Sequence, residues 1–160
     1  MLDHWQISGI TSFVSGSAFT PTLTTTDGHD ITGSAIGPRI TVTGDPNLSK
    51  GDKSFTQAFN ASVFQLTPVG SFGNAGNGRL RGPGINNWDV AVSKRFPLKS
   101  ESRNLQFRAE LFNAWNHTQF SAVNSTGPFN PAGTMTNPLF GSYTAAYNPR
   151  IIQLSLRFAF

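Results

Sequence analysis

The end of the chain alternates between apolar and polar side chains, and this pattern constrains the fold more than any other feature. Residues 150–160 read Arg-Ile-Ile-Gln-Leu-Ser-Leu-Arg-Phe-Ala-Phe. Because successive side chains of a strand point to opposite faces, the alternation predicts a β-strand with one continuous apolar face. That face would be formed by Ile152, Leu154, Leu156, Phe158 and Phe160.

Three earlier stretches, 5–13, 88–96 and 105–111, show the same alternation, the first of them more weakly. A short polar segment, 97–104, separates the last two and predicts an antiparallel hairpin. The composition disfavours helices, since the chain contains 16 Gly and 10 Pro together with much Ser, Thr and Asn. The sequence therefore predicts an all-β fold, a four-stranded antiparallel meander. Its strands are expected near 4–15, 87–97, 104–116 and 150–160.

Two long segments, 16–86 and 117–149, lack sustained periodicity and are predicted to be long outer loops. The connections thus alternate long, short and long, which is typical of transmembrane β-barrels. No apolar run approaches the roughly 20 residues of a membrane-spanning helix, so a helical membrane protein is excluded. A closed barrel needs about eight strands, so we expect these four to be an open fragment of a large barrel. The chain would then be the C-terminal part of a longer protein whose earlier residues precede Met1.

In a barrel, the apolar face of each strand would contact lipid and the polar face a watery lumen. Four charged residues are predicted to face the lumen: Asp89, Arg108, Glu110 and Arg157. Aromatic residues near the predicted strand ends fit the belts that lie at membrane interfaces. These are Trp5, Trp88, Phe96, Trp115, Phe158 and Phe160.

No residue pattern predicts catalysis, a cofactor or a metal. The chain has no cysteine, which excludes disulfides and thiolate chemistry. The glycine-rich segment 73–84 lacks the Lys-Ser/Thr of a phosphate loop, and Asp27-Gly28-His29-Asp30 is interpreted as a polar turn. The net charge is +4, but the basic residues are dispersed, so no nucleic-acid partner is expected. We expect a protein that is not an enzyme.

Several segments together resemble the late barrel strands of TonB-dependent outer-membrane receptors, and most closely the Oar-like group with a carboxypeptidase-regulatory-like N-terminal domain. The resemblance covers nearly the whole chain and is carried by residues 5–21, 72–89, 105–120 and 148–160. It implies a plugged barrel of about 22 strands that imports a substrate across the outer membrane of a Gram-negative bacterium. The plug that contacts TonB is not in this sequence.

The same resemblance implies three partners: outer-membrane lipid, TonB through the plug region, and the barrel assembly machinery. The terminal Phe160, after alternating apolar residues, resembles the signal by which that machinery recognises its clients. The transported substrate is not readable from these residues.

One alternative from another functional class stays open at this point. A secreted β-sandwich that binds carbohydrate, or an adhesin, would also have strands joined by long Asn- and Thr-rich loops. The two hypotheses make different predictions about what covers the apolar face that ends at Phe160. A sandwich buries such a face against a second sheet, whereas a barrel leaves it exposed toward lipid.

Overall fold

The computed structural model describes residues 3–98 and 100–160. No helix in these residues is both long and apolar enough to cross a membrane. One 3₁₀ helix, Ala61–Val63, accompanies the strands. The strands are β1 Trp5–Val14, β2 Ala18–Phe19, β3 Thr22–Thr25, β4 Thr41–Val42, β5 Phe64–Gln65, β6 Leu80–Arg81, β7 Ile85–Leu98, β8 Ser100–Phe112, β9 Phe120–Val123, β10 Thr126–Phe129, β11 Tyr143–Ala146 and β12 Ile151–Ala159.

The chain divides into two compact units. The first, here called the sheet unit, contains the described residues up to Ser15 together with Ile85–Gln119 and Tyr147–Phe160. The second, here called the loop unit, contains Gly16–Gly84 and Phe120–Ala146.

The four longest strands form one antiparallel sheet in the order β1-β7-β8-β12. Each strand pairs with the next along this order, so the sheet is a meander of the kind that the alternation predicts. Among the described residues β1 and β12 pair with one neighbour each, so the sheet is open. The predicted fold class, an open all-β antiparallel meander, is confirmed.

The hairpin between β7 and β8 is tighter than the sequence indicates. A turn over 97–104 is expected, but β7 continues to Leu98 and β8 begins at Ser100, with Pro97 paired to Asn104. Lys99, which the prediction places in this turn, lies outside the described residues. The other end of β8 comes earlier than the predicted residue 116, because Asn113 takes a left-handed backbone conformation with φ 51°.

The loop unit has its own hydrophobic core. Phe59, Phe64 and Phe140 pack edge to face, with ring centroids 5.1–5.5 Å apart. Ile31, Ile40 and Phe129 are fully buried in the same cluster. The segments predicted as outer loops are therefore folded, which their lack of periodicity did not reveal.

Gly73 lies in this unit at φ 71°, and a Cβ there would collide with the carbonyl oxygen of Arg39. Only glycine fits both the backbone angle and the space at this position.

The sheet unit differs in what it buries. Every buried apolar residue of the described chain belongs to the loop unit, whereas the buried residues of the sheet unit are the polar Ser93, Asn113 and Gln119. The sheet therefore has no apolar core of its own among the described residues, although its strands are rich in Leu, Ile, Val and Phe.

Candidate functional site

The strand register gathers the apolar residues of all four long strands on one face of the sheet. Leu156 lies opposite Phe107, and Ile152 lies opposite Leu111, which in turn lies opposite Val90. Ile7 joins the same face opposite Val92. We call this surface the apolar face. Its side chains on the outer strands are exposed, Ile7 to 74%, Leu154 to 64% and Leu156 to 67%, while Val90, Val92 and Leu111 on the inner strands are partly buried.

Aromatic residues border the apolar face at two levels. At the hairpin end lie Trp5, Phe96 and Phe158, here called the hairpin-side belt. At the other end Trp88 stands edge-on to both Phe13 and Trp115, with centroids 6.0 and 6.3 Å away; these three form the loop-side belt.

The spacing of the two belts matches a membrane. Trp88 and Phe96 are eight residues apart on β7, which corresponds to about 27 Å along an antiparallel strand. A strand tilted by 35–45° then spans about 20 Å of depth, close to the roughly 25 Å apolar band of outer-membrane barrels.

Lys94 is the one charged residue on this face among the described positions of β7. Its ammonium lies 5.2 Å from the ring centroid of Trp5 and 5.7 Å from that of Phe96. It also donates a hydrogen bond to the carbonyl oxygen of Asp3. The long stem thus carries the charge into the hairpin-side belt, where cation–π contacts and backbone oxygen replace water.

The opposite surface, here called the polar face, carries the four charged residues predicted to face the lumen. Arg108 binds Glu110 two residues along β8 through two hydrogen bonds, from Nη2 at 2.6 Å and from Nε at 3.0 Å, both to Oε1. Arg157 lies opposite Gln106 on the neighbouring strand. The register brings all four residues to one face, while their orientation toward a lumen stays a prediction.

Three of these four residues line a common cavity of about 310 Å³. Asp89, Arg108 and Glu110 contribute its charged groups, and Ser8 and Ile10 of β1 complete one wall. Arg157 is not among its lining residues, since it lies nearer the hairpin end.

Asp89 is also the centre of a hydrogen-bonded junction at the loop-side end of the polar face. Its Oδ1 accepts from Asn87 Nδ2 at 2.9 Å and from the backbone N–H of Asn113 at 3.0 Å. The Asp89 carboxylate thereby holds the backbone at the point where β8 ends. A carboxylate that receives two N–H donors is fixed in orientation.

Gln119 ties the same junction to the start of β7. Its Oε1 accepts from the backbone N–H of Asn86 at 2.8 Å, and its Nε2 donates to Asn87 Oδ1 at 3.3 Å. Gln119 and Asn113 retain only 7% and 8% of their exposure. Neither residue is among those predicted from the sequence. For Asn113 one signal was available. It directly follows an alternating stretch, and Asn tolerates the left-handed backbone conformation that ends strand pairing.

Four of the five predicted assembly-signal residues lie in one row on β12: Ile152, Leu154, Leu156 and Phe158. β12 ends at Ala159, and Phe160 follows it, 94% exposed, with its ring stacked 5.8 Å from that of Phe158. Nothing in this geometry tests recognition by an assembly machinery, so that role stays a prediction.

The remaining polar motifs belong to the loop unit. Asp27 Oδ1 lies 2.6 Å from His29 Nδ1, and this hydrogen bond lowers the pKa of the Asp27 carboxyl. No group of three or more His, Cys, Asp or Glu side chains suitable for a metal occurs in residues 3–98 and 100–160. In the glycine-rich segment, Asn74 pairs its side-chain amide with both backbone groups of Val42, at 2.7 and 2.9 Å. That segment therefore binds the backbone of β4.

Comparison with known proteins adds one finding. A family model described as an outer membrane beta barrel domain matches residues 1–153 of the 160-residue chain. No curated protein and no solved structure matches the chain.

Proposed function

Because the chain belongs to the outer membrane beta-barrel domain family, we propose that it forms part of the wall of a TonB-dependent transporter, which imports a substrate across the outer membrane of a Gram-negative bacterium. The barrel-wall role and the outer-membrane location follow from the family. The TonB-dependent transport is the proposal. It rests on the likeness of segments 72–89, 105–120 and 148–160 to late strands of such receptors.

One observation carries the wall assignment most directly. The exposed apolar face of the four-stranded sheet extends about 20 Å along the membrane normal between the two aromatic belts. The charged residues lie on the opposite face of the sheet. A secreted sandwich would bury that apolar face against a second sheet. Exposed apolar surface on this scale marks a contact with a membrane or a partner.

In this proposal Asp89, Arg108, Glu110 and Arg157 face the lumen, where they contact the plug. The apolar face meets outer-membrane lipid, the barrel assembly machinery recognises the terminal strand, and TonB acts through the plug region. We propose no enzymatic activity and no cofactor.

The direction in which each side chain faces is tested by single cysteines, and these 160 residues contribute no native cysteine that would compete with them. In the complete barrel protein, Leu154→Cys is expected to resist a membrane-impermeant maleimide, while its neighbour Ser155→Cys reacts once the lumen is opened to solvent. A lipid-phase nitroxide should quench a fluorophore at position 154 and spare one at position 155. Equal behaviour of the two positions would contradict the wall assignment.

TonB dependence is tested separately, by the components that cells remove from their medium. Cells that express the complete protein are compared with cells lacking it, each with and without TonB. At least one medium component should be depleted only when both proteins are present. Depletion that is unaffected by loss of TonB would refute the transport proposal and leave the wall role intact.

A further inference from the structure

A cavity of about 490 Å³ opens on the polar face of the sheet, at the loop-side end. It lies wholly within the sheet unit. Its walls are largely apolar, formed among others by Val14, Ile85, Phe112 and Ile151. A concave site of this volume, mostly apolar with a few polar groups, is typical of small-molecule binding. The polar groups that converge on it therefore decide which ligand it takes.

The first of these groups is the side-chain amide of Asn113, a lining residue that is 8% exposed. The Nδ2 of this residue donates to the carbonyl oxygens of His117 and Asn148, both at 3.3 Å. That fixes the amide orientation, because the opposite one would set its oxygen against two acceptors. Oδ1 is left buried with no partner in the described part of the chain. A buried acceptor without a donor is rare in folded proteins and indicates a missing donor.

The second group is the carboxylate of Asp89. Two N–H donors, from Asn87 and Asn113, hold its Oδ1. No basic side chain lines the cavity. Within the described residues the ion pairs are Arg108 with Glu110 and His29 with Asp27, so Asp89 has no cationic partner there. The cavity thus presents a negative charge that has no positive partner among the described residues, and one of its lining residues carries a buried acceptor without a donor.

We propose that this cavity is a subsite for the ammonium group of an amphipathic amine, whose apolar body packs against the cavity wall. The ammonium supplies the positive charge that Asp89 lacks among the described residues. The inference rests on the proposed function, since an imported substrate would reach this surface from the lumen.

The test uses dansylcadaverine, a fluorescent primary amine with an aromatic body, and the complete barrel protein in lipid nanodiscs. Its N-acetyl derivative, which has no charge, is the control ligand, and empty nanodiscs give the lipid background. The amine should bind saturably and at least tenfold more tightly than the acetylated form. Asp89→Asn keeps an acceptor for Asn87 and Asn113 but removes the charge, and it should abolish that preference.

Glu110→Gln is the matched variant, because it removes one negative charge from the same face outside this cavity. It should retain the preference for the amine. Val14→Trp, which fills the cavity, should weaken binding of both ligands, and heat-modifiable mobility confirms that each variant is folded.

Loss of the preference in Asp89→Asn and Glu110→Gln alike would show a general charge effect and overturn the subsite. Absence of saturable binding to the unaltered protein would overturn it as well. These measurements require no transport. Failure of the subsite is therefore distinguishable from failure of the proposed function, which is read from medium depletion with and without TonB.

Discussion

Replacing Leu154 by Arg tests the depth of the apolar face most sharply. Leu154 lies in the row that joins Ile7, Val92 and Ala109 across the sheet. Val92 is four residues from Trp88 and four from Phe96, so this row lies midway between the two belts, about 14 Å along the strand from each. The opposite residue, Ala109, is too small to cover a charge at position 154.

The expected cost follows from that depth. Arg on the lipid face of a barrel costs about 2–4 kcal/mol at the midplane and falls to about 0–1 kcal/mol near the interfaces. Leu154→Arg should therefore lower the free energy of unfolding by about 2–4 kcal/mol. Leu156→Arg lies one pleat closer to the hairpin-side belt and should cost less.

The control lies on the same strand. Gln153 faces the other way and lies opposite Glu110, so Gln153→Arg gains an attractive cross-strand pair and should change stability by less than about 1 kcal/mol. Ser155 lies opposite Arg108. Ser155→Arg would place two positive charges opposite each other, so it is a slightly worse control. Equilibrium unfolding of the complete protein from lipid vesicles measures all four variants. Equal losses for Leu154→Arg and Gln153→Arg would refute the assignment of the two faces.

Three further outcomes are expected. Deletion of Phe160, a residue almost fully exposed, should cost little stability yet block outer-membrane insertion if it is part of an assembly signal; normal heat-modifiable mobility would exclude that role. Arg108→Ala breaks a half-exposed ion pair, so it should cost less than about 1 kcal/mol and leave insertion intact while altering uptake; loss of insertion would contradict a lumenal position. Acid should loosen the turn at Asp30, whose pKa is lowered from 3.8 by the backbone N–H groups of Gly33 and Thr32. That stabilisation is present above pH 3.8 and is lost as the pH falls through the lower folded-state pKa. The protection of the Thr32 amide, measured against its intrinsic exchange rate at the same pH, should therefore fall there but not at pH 7.

The long strands could be predicted because their evidence is local. In β12 and β8 the two-residue period is visible within a few residues, and a shared apolar face leaves few possible registers. That Leu156 and Phe107 share a face follows from that parity, and the register places them opposite each other. The hairpin bounds were less accurate because pairing through Pro97 depends on the partner strand and has no local signal.

The folding of the loop unit could not be predicted because its contacts are distant in sequence. Thr22 of β3 pairs with Thr126 of β10, and the core brings Phe59 against Phe140. Neither contact imposes a period on the residues around it, so hydrophobic periodicity fails as a signal there. The fold depends instead on irregular turns.

The residues of the candidate site likewise fall into those that the sequence predicts and those that it does not. Asp89, Arg108 and Glu110 share a face because parity places them there, and parity is readable from the sequence. Asn113 was not foreseeable as a buried polar residue, since its Nδ2 donates to the carbonyl oxygens of His117 and Asn148, which separate segments of the sheet unit bring to it. Buried polar groups are defined by what surrounds them, and no local pattern records that.

The two edges of the sheet set a final requirement on any barrel that contains it. Within the described residues β1 and β12 each pair on one side only, over 10 and 9 residues. Alternate residues direct both backbone groups to the free side, so the two edges together leave on the order of 20 unpaired groups. Each costs several kcal/mol in hydrocarbon, and the sum exceeds the 5–15 kcal/mol by which proteins are stable. Both edges must therefore pair with further strands. Because the belts fix depth, the strand that joins β12 must place apolar residues in the row of Leu154 and aromatic residues in the row of Phe158.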